Sequence, residues 1–370
     1  MKQYSILFLL CAILVLPALN GCATPQESKT ETVTISDLLG REVAIPADVE
    51  RVIAIGPGAL RLLAYAGNLD SVVGVEQMET GDVSAKPYML ANPALAELPI
   101  IGQGGPNNVP DPEKILTVAP DVIFSTYATE TAAADELQSK TGIPVVAISY
   151  GPGGFGSADI FDEALQDSLL LIGRISGESD KAQVAVDFIQ QTRQDLESRT
   201  QNIANADKPS VYVGGLGSRG THGIESTQGR YPLLDIIHAR NVVDETGSSG
   251  SIMIDKEKLL AWVPDFIFID QGGYPAVVED YQKNPTFYES LSAVQNGQVY
   301  SQLPYNYYNT NIGTTIADAY FLGKILFPQA FADVDPAAKA DEIYQALLGQ
   351  PVYAQMAEAF GGFDQLTLSG

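Results

Sequence analysis

Few side chains in this sequence have the types and spacing that catalysis needs. The histidines are His222 and His238 alone, too few for a histidine-rich metal site, so no metal centre is expected. The cysteines, Cys11 and Cys22, both fall in the first 22 residues and leave no disulfide framework for a folded body. Gly215-x-Gly217-x-x-Gly220 spells a dinucleotide-binding fingerprint. However, Thr221-His222-Gly223 opens no convincing helix behind it, and no acidic residue ends a second strand about 20 residues on. An exported enzyme using such a cofactor therefore stays only as an alternative. There is no Gly-x-Ser-x-Gly elbow and no Cys–His pair. The expectation is a protein that binds rather than transforms.

Binding chemistry is more plentiful. In open α/β sheets ligands sit beyond the carboxyl ends of the strands. On that rule the first half of the chain offers Arg61, Gln77, Gln103 and Tyr127, and the second offers Arg219, His222, Gln271, Tyr305, Asn306 and Tyr307. Aromatic rings with a few polar groups suit a large, partly apolar ligand. Arg61 or Arg219 could grip carboxylate or catecholate oxygens as a two-toothed fork.

The elements that would position these residues are announced by a repeat. Asp111-Pro112-Glu113-Lys114-Ile115-Leu116 with Pro120-Asp121-Val122-Ile123-Phe124 returns as Asp255-Lys256-Glu257-Lys258-Leu259-Leu260 with Pro264-Asp265-Phe266-Ile267-Phe268. A long-period match of this kind marks a duplicated unit. In each copy an aspartate can cap a helix start, a glutamate favours its first turn, a proline ends it, and an apolar run suits a strand buried on both faces. Each copy is followed by another helix and strand. The fold class expected is α/β, with two Rossmann-like lobes and a ligand cleft between them. A helix from Asp180 to about Ala204 lies between the copies and would join the lobes as a single long rod.

The ends and the charge set the compartment. Residues 1–21 read as an export signal, with Lys2 before an apolar run too short to span a bilayer. Leu19-Asn20-Gly21-Cys22 resembles a lipobox, so Cys22 is expected to carry acyl chains and anchor the chain to a membrane. Residues 22–32 read as a polar tether, 33–156 as the first lobe, 157–205 as connecting helices and 206–370 as the second lobe. The net charge of −24 argues against nucleic acid, which needs clustered Lys and Arg.

Taken together, Val33-Thr34-Ile35-Ser36-Asp37-Leu38-Leu39-Gly40-Arg41, Glu50-Arg51-Val52-Ile53-Ala54, the two Glu-x-x-Leu-like units and Pro304-Tyr305-Asn306-Tyr307-Tyr308 resemble the substrate-binding lipoproteins of ABC importers for iron-siderophores, haem and cobalamin. The resemblance implies a monomer outside the cytoplasm with no intrinsic cofactor. Its cargo would be a ferric siderophore, haem or a corrinoid, and its partner the permease dimer with its ATPase. It further implies docking through Glu113 and Glu257, one on each lobe. A carrier of free metal or of an oxyanion is the alternative. Where many members carry Ser-x-x-Thr-Glu after the first core strand, this chain has Gly56-Pro57-Gly58-Ala59-Leu60-Arg61, placing a positive charge near the expected cleft.

Overall fold

The computed structural model describes residues 31–105, 108–151, 160–217 and 220–368. The export signal, Cys22, most of the tether and Arg219 lie outside the described residues.

The chain opens on an antiparallel hairpin, β1 (Thr32–Ser36) with β2 (Glu42–Pro46), turned at Gly40. Strands β3 (Val52–Ile55), β4 (Val122–Ser125) and β5 (Val145–Ala147) then form a parallel sheet in that order. On the free side of β3 the sheet continues only as single parallel bridges, Val52 to Val72 and Val75 to Ile100. The second lobe repeats the plan with β6 (Ser210–Gly214), β8 (Arg240–Asn241), β10 (Phe266–Asp270) and β11 (Val299–Gln302), ordered β11–β10–β6–β8 and all parallel. A small antiparallel ribbon, β7 (Ser226–Gly229) with β9 (Gly250–Met253), flanks it.

The duplication holds in geometry. Ala119 and Val263, just before the two prolines, take the same left-handed conformation, φ 42° and 45°. Proline disfavours the right-handed α conformation in the residue ahead of it, and the turn into each strand is made there. Asp121 Oδ2 accepts the Glu50 and Arg51 amides, and Asp265 Oδ2 accepts the Ser210 amide and hydroxyl. Each aspartate thus pins the start of the neighbouring strand.

Strand residues alternate between two cores, as a period of two requires. Val52, Ala54, Val122, Phe124 and Val146 face one apolar cluster, and Ile53, Ile55, Ile123, Val145 and Ala147 face another. In the second lobe Val211, Val213 and Phe268 join the first of these clusters, while Tyr212, Ile267 and Ile269 face a third. The shared cluster is filled by helices at Ala59–Ala66, Glu163–Ile175, Ser179–Thr200 and Ile312–Leu326. The rod is therefore the 22-residue helix Ser179–Thr200, roughly 33 Å long, which starts one residue before the expected Asp180 and ends short of Ala204. It does not hold two separate cores apart. Ala182, Ala185, Val186, Ile189 and Leu196 are buried in one apolar layer common to both lobes.

Candidate functional site

The carboxyl ends of the strands run into glycines. Gly56 follows β3 at φ +93°, and a Cβ there would lie 2.5 Å from Thr126 Oγ1 and 2.9 Å from the Tyr127 amide nitrogen. Only glycine fits so close an approach at positive φ. The Gly56 N–H donates to Glu76 Oε2 (2.9 Å), and the Gly58 carbonyl accepts from the Tyr150 hydroxyl (3.0 Å).

A loop from the end of β11, Leu303 to Asn311, crosses to this edge of the first lobe. The Tyr308 hydroxyl donates to Glu76 Oε2 (2.7 Å) and accepts from the Gly105 N–H (2.9 Å). It lies 3.4 Å from the Tyr127 hydroxyl, which donates to the Gly105 carbonyl (2.8 Å). Asn309 reaches the Pro57 carbonyl and Asn311 the Ala85 carbonyl. Tyr308 and Asn309 both sit at positive φ, 50° and 75°. The loop thus departs from extended backbone where it presents the phenol.

Arg61 corrects an expectation. It is fully buried, and its guanidinium donates to the carbonyls of Thr310 (2.8 Å), Tyr307 (2.8 Å) and Tyr308 (3.3 Å) and to the Tyr150 hydroxyl (3.2 Å). The fork grips backbone of the other lobe, not a ligand. One helical turn inside its helix, it points along the buried face. Lys86 is buried beside it and donates to the Met78 (2.6 Å) and Glu79 (3.1 Å) carbonyls. The buried Glu79 carboxylate accepts from Tyr88 and has its proton affinity raised by burial, against the pull of Lys86 and Arg61.

Two carboxyls stand at strand ends, and both are turned inward. Burial pushes Glu76 up to about 7, against hydrogen bonds from Tyr308 and Gly56 that favour its charge. Burial likewise pushes Asp270, the last residue of β10, up to about 7.

The remaining expected residues divide. Gln77 and Gln103 are exposed, and Tyr127, His222, Asn306 and Tyr307 are partly exposed. Asn306 donates its side-chain amide to the Gly217 carbonyl (2.9 Å), fixing the loop after β6. Gln271 is buried; its amide nitrogen donates to the Gly362 carbonyl (3.0 Å), and its Oε1 has no hydrogen-bond partner among the described residues. Tyr305 is buried with its ring 6.1 Å from that of Tyr231, which makes it a packing residue rather than a cleft wall. Glu113 and Glu257 are exposed on their helices. Sequence reading missed Asn309 and did not place Tyr308 among the expected site residues. Asparagine tolerates positive φ, and the run Asn306, Asn309, Asn311 was the available signal. Beside the end of β5 lies a cavity of about 420 Å³ whose walls include Pro57, Thr126 and Tyr150, with Asn309 the one lining residue from the second lobe.

This arrangement, two parallel sheets whose carboxyl ends are stitched by one loop, can be compared with known proteins. A family described as periplasmic binding protein matches residues 52–304. The chain belongs to the periplasmic binding protein family. The molybdate-binding protein MolA of Haemophilus influenzae is 25% identical over 329 residues, 84% of this chain and 89% of that protein. Its molybdate-bound structure superposes with a TM-score of 0.65 at 22% identity, over 86% of this chain and 98% of MolA. A periplasmic solute-binding protein from Veillonella parvula gives 0.70 at 17% identity, over 89% and 97%. Helicobacter pylori CeuE, solved with Ni(II), gives 0.58 at 18% identity, over 89% and 99%. This periplasmic binding protein is accordingly a binding protein and not an enzyme. Among the described residues no helix is long and apolar enough to cross a membrane, and no cluster of three or more His, Cys, Asp or Glu could hold a metal ion.

Proposed function

We propose that this protein captures a small oxyanion of the molybdate class between its lobes and delivers it to an ABC permease. The observation that carries this reading is the charge of the strand-end loops. In a chain of net charge −24, the strand-end loops carry few carboxylates: Glu76 is buried and hydrogen-bonded, Glu225 is paired with Lys256 (3.2 Å), and Glu130 stands at the far end of its loop, at the start of the next helix, while residues 56–58, 102–105, 148–151, 271–273 and 303–311 have none. A receptor for a bare cation would set carboxylates there. What these loops offer instead are backbone N–H groups and the side-chain amides of Gln77, Gln103 and Asn306. Neutral donors held in place by a rigid frame suit an oxyanion. Arg219 would add a cation at the second lobe's glycine loop. The similarity to MolA supports the same class.

The test is titration calorimetry of the ligand-free protein with sodium molybdate, tungstate and sulfate, beside absorption spectra after mixing with haem and with a ferric catecholate. Saturable one-to-one binding of molybdate or tungstate, without a coloured complex, is expected. A tight coloured complex with haem or the ferric chelate, and no oxyanion binding, would restore the iron-chelate cargo that the sequence resemblance implies. We further propose that Cys22 is acylated and tethers the receptor outside the cytoplasm. Cys22→Ala should then move the protein from the membrane pellet to the soluble fraction, and unchanged pelleting would refute the anchor.

A further inference from the structure

Glu76 stands where strand-end loops of both lobes meet. It follows the parallel bridge at Val75 and lies just ahead of the short helix Gln77–Thr80. Gly56, at the end of β3, donates its N–H to Glu76 Oε2, and the Tyr308 hydroxyl, arriving from the second lobe, donates to the same oxygen. From a third side Gly104 comes so close that a Cβ there would lie 2.9 Å from the Glu76 Cβ. From a fourth, the Tyr127 hydroxyl beyond β4 bears on the carboxyl. The residue is only 3% exposed.

A carboxylate at this hub is at odds with a site for an anion. Ionised, it sets a negative charge among the loops and keeps two of their donors, the Gly56 N–H and the Tyr308 hydroxyl, for itself. The ionisable groups that bear on it are Tyr308 on the inter-lobe loop, Tyr127 beyond β4 and Glu79 on its own helix, and none of these is a cation. The loops at 56–58 and 102–105 bring no ionisable side chain. Arg61 and Lys86 bear on Glu79, and both spend donors on backbone carbonyls. One proton resolves the conflict. A neutral carboxyl removes the charge, still accepts from Gly56 and Tyr308, and gains an O–H that can donate to an anion. A nearby anion in turn favours the neutral carboxyl, since like charge holds the proton on.

We propose that the site takes up its oxyanion together with a proton, which Glu76 holds in the complex, so that this one carboxyl sets the affinity for the anion. The proposal deepens the oxyanion reading and rests on it. Capture is then anion plus proton, release returns both, and no covalent bond to the anion forms or breaks. Linkage between the two ligands is reciprocal: an anion that strengthens proton binding at Glu76 is itself bound more tightly when the proton is there. Burial already raises the carboxyl of the free protein from 4.5 to about 7. A further rise in the complex gives an affinity that is full below about 7 and lost as pH climbs above it.

The experiment is titration calorimetry of the full chain with sodium molybdate and sodium tungstate between pH 6.5 and pH 8.5, each pH in two buffers of different ionisation enthalpy. The pair of buffers counts protons and the isotherm gives affinity. Affinity should fall by about fivefold or more across that range, with net proton uptake per anion larger at the upper end than at the lower. Glu76→Gln, neutral at every pH and nearly the same shape, should lose most of the fall and most of the uptake. Tyr308→Phe removes a hydrogen bond that favours the charged carboxylate, so its fall should move to higher pH whatever its absolute affinity. Should Glu76→Gln not fold, the proton count of the parent and the shift in Tyr308→Phe decide the matter. Flat affinity without proton uptake in the parent, or a fall undiminished in Glu76→Gln, would overturn the proposal and leave oxyanion capture standing. Binding of neither anion at any pH would bring down the oxyanion reading and the proposal together.

Discussion

The Arg61 guanidinium, on the first helix of one lobe, donates to the Tyr307 carbonyl of the other at 2.8 Å without exposure to solvent. The same fork holds the carbonyls of Thr310 and Tyr308. Removing it would strand several buried acceptors, each costing about 1–3 kcal/mol. Arg61→Met should therefore lower unfolding free energy in denaturant by on the order of 3 kcal/mol or more. It should also weaken ligand binding, because Tyr308 and Asn306 lose their fixed placement. Arg61→Lys should recover little, since an ammonium cannot reproduce the planar fork. A fully stable Arg61→Met protein would show that the seam is held by the apolar layer alone.

Glu76 rises from its ordinary 4.5 to about 7 on burial, so the folded state favours its neutral form. The stabilising contribution is complete below about 4.5 and lost as pH climbs through about 7. Asp270 rises from 3.8 to about 7 and acts in the same direction. Wild-type stability should fall between pH 5 and pH 8, by ~3 kcal/mol or less from Glu76 alone. Glu76→Gln, which keeps an acceptor for the Gly56 N–H, should flatten part of that fall and leave the Asp270 part. Equal pH slopes in parent and variant would refute the assignment.

Which features were legible in the sequence follows from how local their causes are. The duplicated unit was readable because Asp121 and Asp265 each pin a strand only a sheet neighbour away, and because the left-handed turns at Ala119 and Val263 are set by the next residue, a proline. The alternating burial of β3 and β4 lay in their apolar runs. Arg61 was misjudged because its partners, Tyr307 to Thr310, lie roughly 250 residues away, and nothing in its own helix shows that a second lobe will close over it. Tyr305 looked like a ligand residue by type, yet only packing against Tyr231 decides that it is core. Each lobe keeps an apolar cluster of its own on one face of its sheet, while the other faces of both sheets share one layer. The apolar residues of Ser179–Thr200 show that the helix is amphipathic, not that its one apolar stripe serves both sheets.

The left-handed turn can be tested directly. Val263 is β-branched, sits at φ 45° and ψ 59°, and is 55% exposed. A non-glycine residue in that region carries about 1–2 kcal/mol of steric cost. Glycine removes that cost and returns about 0.5–1 kcal/mol through its freer unfolded state. Val263→Gly should therefore stabilise the protein by roughly 0.5–1 kcal/mol, read as a higher denaturant midpoint at unchanged slope. Ala119→Gly should gain less, because alanine is not branched. A loss of stability in Val263→Gly would mean that the valine side chain contributes packing beyond its exposed position.

Glu113 and Glu257 are exposed, occupy matching positions and lie outside the loops where ligand is proposed to sit. Neither contributes to the core. Reversing both charges, Glu113→Arg with Glu257→Arg, should leave ligand affinity and melting temperature at parental values. Uptake into cells or proteoliposomes should nevertheless be abolished, because the docking that the sequence resemblance implies would now bring two positive charges where it needs two carboxylates. Each single reversal should lose part of the uptake, since a twofold partner keeps one intact contact. Rim charges act mainly on the association rate and are screened by salt. Raising ionic strength should therefore slow association of the parent with its permease and narrow the gap between parent and double variant. Full uptake by the double reversal would remove these glutamates from the docking surface. A matching loss of ligand affinity would mean that the substitution acts on the cleft rather than on delivery.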